Sequence, residues 1–387
     1  MKQSRMKIFA IILAVALLPW LALPAATAAG CTSVIVNSVE LSAQWPYWKN
    51  GDTVHSQLLA DGEWNAYFDA ATSTLTLYNA VIDTVPILES HMYLGMIYAY
   101  GDLNIVLTGD STMAYDNDTY YGTLFGVHII GSVTFSGAGS LDINLVNLFH
   151  QQEYYGSVYV STVIGSISIL SGQLSIFAQG ARDSFGLLLE DTLLIAGGDT
   201  TIKTVGATSR ALGFAGSSFR MTGGRLTAVA EATGAYAYAL ETDSISLDGG
   251  EGRFTARNTG EGTAYGAVFT GDPFSFSNGH FIFSGQDTAL RYTGIGSAGF
   301  VLNDGKVYVS QLADGSGADR WYTNADGILA STASDPSPFR YVEFLLYTPS
   351  PQTGDTQTPW LWIGLAAAAV AGIAVLIIVL RKKPSGK

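Results

Sequence analysis

From about residue 103 onward the chain alternates apolar and polar residues with a period of two, in short runs broken by glycine. That period puts every second side chain on one face of a β-strand. Six runs share one form, in which alternating apolar residues lead into a turn ending in glycine and then resume. They are ISILSGQLSI from 167, LLIAGGDTTI from 193, FRMTGGRLTA from 219, ISLDGGEGRF from 245, FSFSNGHFIF from 274 and FVLNDGKVYV from 300. Their glycines, Gly172, Gly198, Gly224, Gly250, Gly279 and Gly305, are spaced by 26, 26, 26, 29 and 26 residues. A third short strand lies midway in each period: FGLLL at 185, ALGFA at 211, YALE at 238, YGAVF at 265 and ALRYT at 289. A unit of three short strands cannot bury an apolar face alone, whereas stacked copies can.

The pattern therefore predicts an all-β chain forming a right-handed parallel β-helix, with three short strands per coil of about 26 residues. Its inward stack would contain Ile169, Ile195, Met221, Leu247, Phe276 and Leu302, and the turn glycines would supply positive φ. LNIVLTG at 103 and VTFSGAGSLDINL at 133 read as earlier coils. About eight coils at ~4.8 Å per step make a rod roughly 40 Å long. A propeller needs four strands in a longer period, and a leucine-rich repeat needs Leu and Asn ladders that are missing here. An open coil end exposes strand edges, so a cap is required. Residues 29–72, with the hairpin-like WNAYFDAATSTLTL starting in this segment, are expected to form that cap, residues 73–347 the β-helix, and FRYVEFLLY from Phe339 its far closure.

The two ends have a different character. Lys2, Arg5 and Lys7 precede an apolar run from Ile8 to Leu23, followed by small residues, which reads as a secretory signal peptide over 1–28 cleaved after Ala28. Cys31 is the only cysteine, so no intramolecular disulfide can form. It reads as a free thiol near the mature terminus, with lipid attachment as the alternative. At the other end Trp360–Leu380 is 21 residues without a charge. At ~1.5 Å per residue that spans the ~30 Å hydrocarbon core as a transmembrane helix, and the basic tail 381–387 fixes its cytoplasmic end.

Just ahead, in the linker 348–359, Ser350, Pro351, Gln352, Thr353 and Gly354 resemble the Pro-x-Thr-Gly core of a sortase sorting signal. The resemblance implies cleavage between Thr353 and Gly354 and transfer to peptidoglycan, with Ser350 standing where the commonest form has Leu. Sortase and peptidoglycan are then partners, the membrane is occupied only before processing, and the location is the cell wall of a Gram-positive-type bacterium. Only about six residues separate Tyr347 from Thr353, which reach about 20 Å when extended, so the domain is expected to work near the wall.

The cap hairpin, LNIVLTG and the glycine-turn coils together resemble the β-helical carbohydrate-binding domains of clostridial and related surface proteins, over about residues 32–345. One type of that family binds acidic pectic polysaccharides with calcium. The resemblance implies a polysaccharide ligand, with calcium as a possible cofactor.

Charge narrows the choice. Without residues 1–28 and 354–387 the chain keeps 12 Lys plus Arg against 31 Asp plus Glu, a net of about −19. Nucleic acid and anionic lipid are excluded as partners on that balance, and an acidic polysaccharide would need a bridging cation. Counting seven residues back from the turn glycines brings Asp243 and Asp272 onto neighbouring coils, where two carboxylates can share a calcium ion or simply open turns. In the loop YDNDTYYG, Asp116 and Asp118 form a second candidate calcium site that lacks the full spacing of a calcium hand. Tyr115, Tyr120, Tyr121, Tyr154 and Tyr155 are candidates for a platform on which sugar rings stack, or are ordinary exposed tyrosines. No pair among His55, His91, His128, His150 and His280 has metal-ligand spacing. Arg225 falls in the slot after the turn glycine that Gln173, Asp199, Glu251, His280 and Lys306 occupy elsewhere, as expected of solvated surface. The chain is therefore read as a non-catalytic binder of polysaccharide. A protein-contacting adhesin or structural rod is the alternative, and a lyase or hydrolase is further off.

Overall fold

In the computed structural model the described residues are 30–346 without 58, 60–62, 86–94, 118–121, 152–153, 272–273, 293–299, 303–305, 311, 317–319 and 323–339. The signal peptide, sorting motif, apolar span and basic tail expected from the sequence all lie outside them. The described residues form an all-β parallel solenoid of about seven turns, with no helix among them, and hence none long and apolar enough to cross a membrane.

Three parallel sheets run along the solenoid. The first collects strands before the turn glycines, such as Leu103–Leu107, Val133–Gly137, Ile167–Ile169 and Thr192–Ile195. The second collects those after them, such as Asp110–Asn117, Ser140–Asn147, Gln173–Gly180 and Asp199–Ala207. Mid-coil strands form the third: Gly122–Ile130, Tyr154–Val163, Asp183–Leu189, Thr263–Phe269 and Thr288–Tyr292. In two coils the expected three short strands run on as one, Arg210–Ala232 and Tyr236–Asn258, each passing through all three sheets.

The register follows the repeat residue by residue. Ile169 pairs with Ile195, Ile195 with Met221, Met221 with Leu247, Leu247 with Phe276 and Phe276 with Leu302. Ile169 through Phe276 in that column are fully buried. Each such side chain contributes roughly 1.5–3 kcal/mol over an exposed one. The turn glycines take the expected left-handed backbone, with φ of 74° at Gly198 and 72° at Gly224. A Cβ at Gly224 would lie 2.6 Å from the carbonyl carbon of Gly197 on the coil below, so the glycine is required by stacking as well as by φ.

Antiparallel strands cover both ends. Ser33–Val36 pairs with Val39–Ser42 and with Ile97–Tyr100. Tyr47–Trp48, Ala66–Asp69 and Thr74–Leu77 form a meander, and only the last joins the parallel stack, against Leu103–Leu107. Trp48, Phe68 and Leu41 are buried beneath this cover. Cys31 is buried with them, its amide donating to the carbonyl of Asp102. At the other end the simple stacking of glycine-turn repeats breaks down in the second sheet. Tyr341–Leu346 inserts antiparallel between Gly279–Gly285 and Lys306–Ser310. Lys306, expected next to His280 in the column after the turn glycines, therefore faces Leu345 instead, as His280 does. The alternation of YVEFLL suits it to that slot, with Val342 and Phe344 buried.

Candidate functional site: the outer face of the third sheet

Along the third sheet the register stacks Phe125, Tyr159, Phe185, Leu212, Tyr238 and Tyr265 on successive coils. These side chains point away from the main core. Phe185, Leu212 and Ala215 form a separate apolar cluster with Tyr159, Leu188 and Tyr238 packed against it. A break in the alternation creates the two-sided strand, because Gly186 and Leu187 both face inward. A Cβ at Gly186 would strike Ile202, and Leu187 belongs to the main core. The neighbouring outward column holds Tyr98, His128, Thr162, Leu188, Ala215, Glu241 and Val268.

Ring geometry along this strip is ordered. Tyr159 stacks on Phe185 at 4.6 Å between centroids and 8° between planes, and Phe125 lies 5.6 Å from Tyr159. Tyr238 stacks on Tyr265 at 5.3 Å, and Tyr98 on His128 at 5.5 Å. Exposed Tyr100 and Ile164, with half-buried Ile130, extend the apolar surface at its margin.

Polar groups are few and particular. Asp183 is buried and accepts a hydrogen bond from Nε of Arg210 at 3.1 Å. That guanidinium also lies 5.0 Å from the centroid of Phe185. Burial works against the charge on Arg210, but the hydrogen bond and the charge of Asp183 outweigh it and hold its pKa up. Arg291 donates to the Tyr265 hydroxyl and sits 4.7 Å from its ring centroid. Burial, helped by Asp183, raises the Tyr159 phenol, and burial likewise raises the Glu241 carboxyl and lowers His128. Nδ1 of His128 and Oγ1 of Thr162, direct register partners, are buried without a hydrogen-bond partner among the described residues. Such orphaned groups cost about 1–3 kcal/mol each unless a ligand or water satisfies them.

The residues singled out from sequence fall elsewhere. Asp243 accepts from the Thr270 hydroxyl, and its carbonyl accepts from the Gly271 amide, while Asp272 lies outside the described residues. The pairs Gly216–Thr242 and Ser218–Ser244 set Ser217 opposite Asp243 on the preceding coil. Asp116 is exposed on the second sheet opposite Val146, and Asp118 lies outside the described residues. Tyr115 pairs with fully buried Leu145 and packs against the main core, so its face is turned inward from the expected sugar platform. Tyr120 and Tyr121 lie outside the described residues, and Tyr154 and Tyr155 begin a strand that pairs antiparallel with His150–Gln151. Among the described residues no three His, Cys, Asp or Glu side chains gather to hold a metal ion.

The second sheet offers a different surface. An open depression of about 340 Å³ lies over Ser140, Asp142, Gln173, Ser175, Asp199 and Thr201. Arg225 beside it bridges Asp199 at 3.5 Å and Glu251 at 3.1 Å. These exposed pairs compensate charge between coils.

The aromatic strip was missed from sequence alone; the signal that marks it is the near-continuous apolar run in FGLLL, ALGFA and YGAVF, which suits strands buried on both faces. Comparison with protein-family models, with characterised proteins and with solved structures finds no match.

Proposed function

We propose that the chain is a secreted, wall-attached surface protein that binds polysaccharide without catalysis, along the outer face of the third sheet of a right-handed β-helix. The observation that carries the reading is the strip of rings from Tyr98 to Tyr265 beside Nδ1 of His128 and Oγ1 of Thr162, both buried without a hydrogen-bond partner among the described residues. Sugars present apolar C–H patches ringed by hydroxyls, and a surface of aromatic groups with a few orphaned polar atoms complements both. The acidic balance and the sorting motif support a location outside the cell, with the chain transpeptidated to peptidoglycan by a sortase after a C-terminal helix has held it in the membrane.

Binding of the full-length protein to a glycan array, with alanine at Phe125 and Tyr159 as the control, tests the ligand class. Silence on every glycan overturns it. Release by muralytic enzyme but not by hot detergent, abolished by Thr353→Ala, tests the attachment. The aliphatic portion of the strip, Leu188, Leu212 and Ala215, favours a protein-contacting rod as the second reading.

A further inference from the structure

The charge pattern of the strip narrows the ligand within the reading just proposed, on which this step rests. From Tyr98 to Leu188 the two outward columns hold Tyr98, Phe125, His128, Tyr159, Thr162 and Phe185, without one Asp, Glu, Lys or Arg. Burial lowers the pKa of His128 and so favours its neutral form. Formal charges gather at the Phe185 end, where Arg210 at 3.1 Å and exposed Arg182 at 3.5 Å both bridge buried Asp183, and beyond it Glu241 stands half-buried. From Tyr98 to Thr162 an anionic polymer would find no cation in either column, and the chain as a whole carries a net −13. A calcium bridge would need oxygen ligands that the strip does not offer: its oxygens there are phenols and one threonine hydroxyl.

We infer that the strip takes an uncharged, extended polysaccharide laid parallel to the solenoid axis, with no metal ion between protein and sugar. Coils advance by ~4.8 Å, a step comparable to one sugar ring of an extended chain, so successive rings of Phe125, Tyr159 and Phe185 meet successive sugars. The ring planes of Tyr159 and Phe185 lie stacked on one another, so their edges, carrying the positive rim of the quadrupole, are what the sugars touch. Edge contacts suit the ring oxygens and hydroxyls of sugars, and His128 Nδ1 and Thr162 Oγ1, on two adjacent coils and buried without a partner among the described residues, add one unused hydrogen-bond position each. A neutral polymer satisfies both without importing charge into a surface where Glu241 and Tyr159 are already shifted by burial.

Affinity electrophoresis of the full-length protein separates the outcomes. The gels contain hydroxyethyl cellulose, a neutral xylan, a neutral mannan or polygalacturonate, each with calcium and with chelator. Retardation by at least one neutral polymer, equal in calcium and in chelator, is expected. It should weaken about tenfold or more in Phe125→Ala/Tyr159→Ala and severalfold in Thr162→Val, which keeps the shape and removes only the hydroxyl. Phe177→Ala on the second sheet should leave it unchanged. Calcium-dependent binding to polygalacturonate alone overturns this inference and leaves the polysaccharide reading standing. Neutral-polymer binding that survives both strip variants also overturns it. No retardation by any polymer, or capture by protein ligands only, overturns both.

Discussion

Replacing Gly224 with alanine tests whether the turns stack as closely as the register implies. Two effects act together at that position. The left-handed backbone at φ 72° costs an alanine about 1–2 kcal/mol. The new Cβ would also stand 2.6 Å from the carbonyl carbon of Gly197 and 2.8 Å from the oxygen of Gly198. Relief requires the turn to move by roughly 1 Å to reach ordinary carbon contact, and overpacking of that kind costs about 1–3 kcal/mol more. The expected loss is thus about 2–5 kcal/mol. Gly206 supplies the control, because it has φ 88° but nothing nearer to its Cβ position than side-chain atoms of Gln179 at 3.6 Å. Gly206→Ala should cost the backbone part alone, about 1–2 kcal/mol. Urea midpoints at unchanged slope read the difference. If the two variants lose the same stability within about 0.5 kcal/mol, close contact between turns is not what holds glycine in that column.

Other consequences follow from buried or paired groups. Burial raises the Cys31 thiol to about 11 from an ordinary 9.0. Its contribution is then intact below pH 9 and is lost as pH rises through 11, by about 2–3 kcal/mol in all. The comparison is the pH dependence of wild type against Cys31→Ala, and a thiol reagent that labels the native protein at the rate of a free thiol would contradict the burial. Arg210→Met should destabilise by about 2–4 kcal/mol, because Asp183 is left buried with only Arg182 at 3.5 Å; adding Asp183→Asn should recover much of that in a double-mutant cycle. Arg225→Glu would set three carboxylates in succession with Asp199 and Glu251, and its denaturation midpoint should fall at low salt and converge on wild type at high salt. A loss unchanged by salt would show that packing, not charge, is at stake there.

The period of the glycine turns was enough to read the parallel solenoid and its main inward column, because in-register stacking repeats the same physical demand in every coil. Where the period of two fails within a coil, or one coil differs from the next, that logic stopped helping. The break at Gly186 and Leu187 turns two consecutive residues inward and leaves Phe185 and Leu188 outward, and it recurs at Gly126 and Val127 and at Gly213 and Phe214, so strict alternation assigns the wrong face to half of FGLLL. Tyr115 shows the opposite case: its parity with Met113 and Leu145 already put it inside, but its place in a tyrosine-rich stretch drew attention to its exposure. The insertion of Tyr341–Leu346 between two repeat strands was beyond reach, since nothing local distinguishes an end strand that closes a stack from one that enters it. Cys31 was read as a loose terminal thiol, and only the amide bond to Asp102 and the strand cover above it reveal a core residue.

Stacking identical positions every ~4.8 Å makes any repeated charge a liability, because like carboxylates at that distance repel. On the second sheet the sequence avoids this by departing from repetition. Successive residues of one column are Asp110, Ser140, Gln173, Asp199, Arg225, Glu251 and His280, and acids that follow one another directly do not occur in it. Ser140 donates to Asp110 at 2.9 Å, Arg225 joins Asp199 to Glu251, and His280 reaches Glu343 at 2.6 Å. The third sheet answers the same constraint in another way, by repeating rings, which attract one another when stacked. A column of rings can therefore grow coil by coil without alternation, while a column of charges cannot. That difference leaves the third sheet as the face on which a uniform strip can extend along the rod, and a uniform strip is what a repeating polymer would contact.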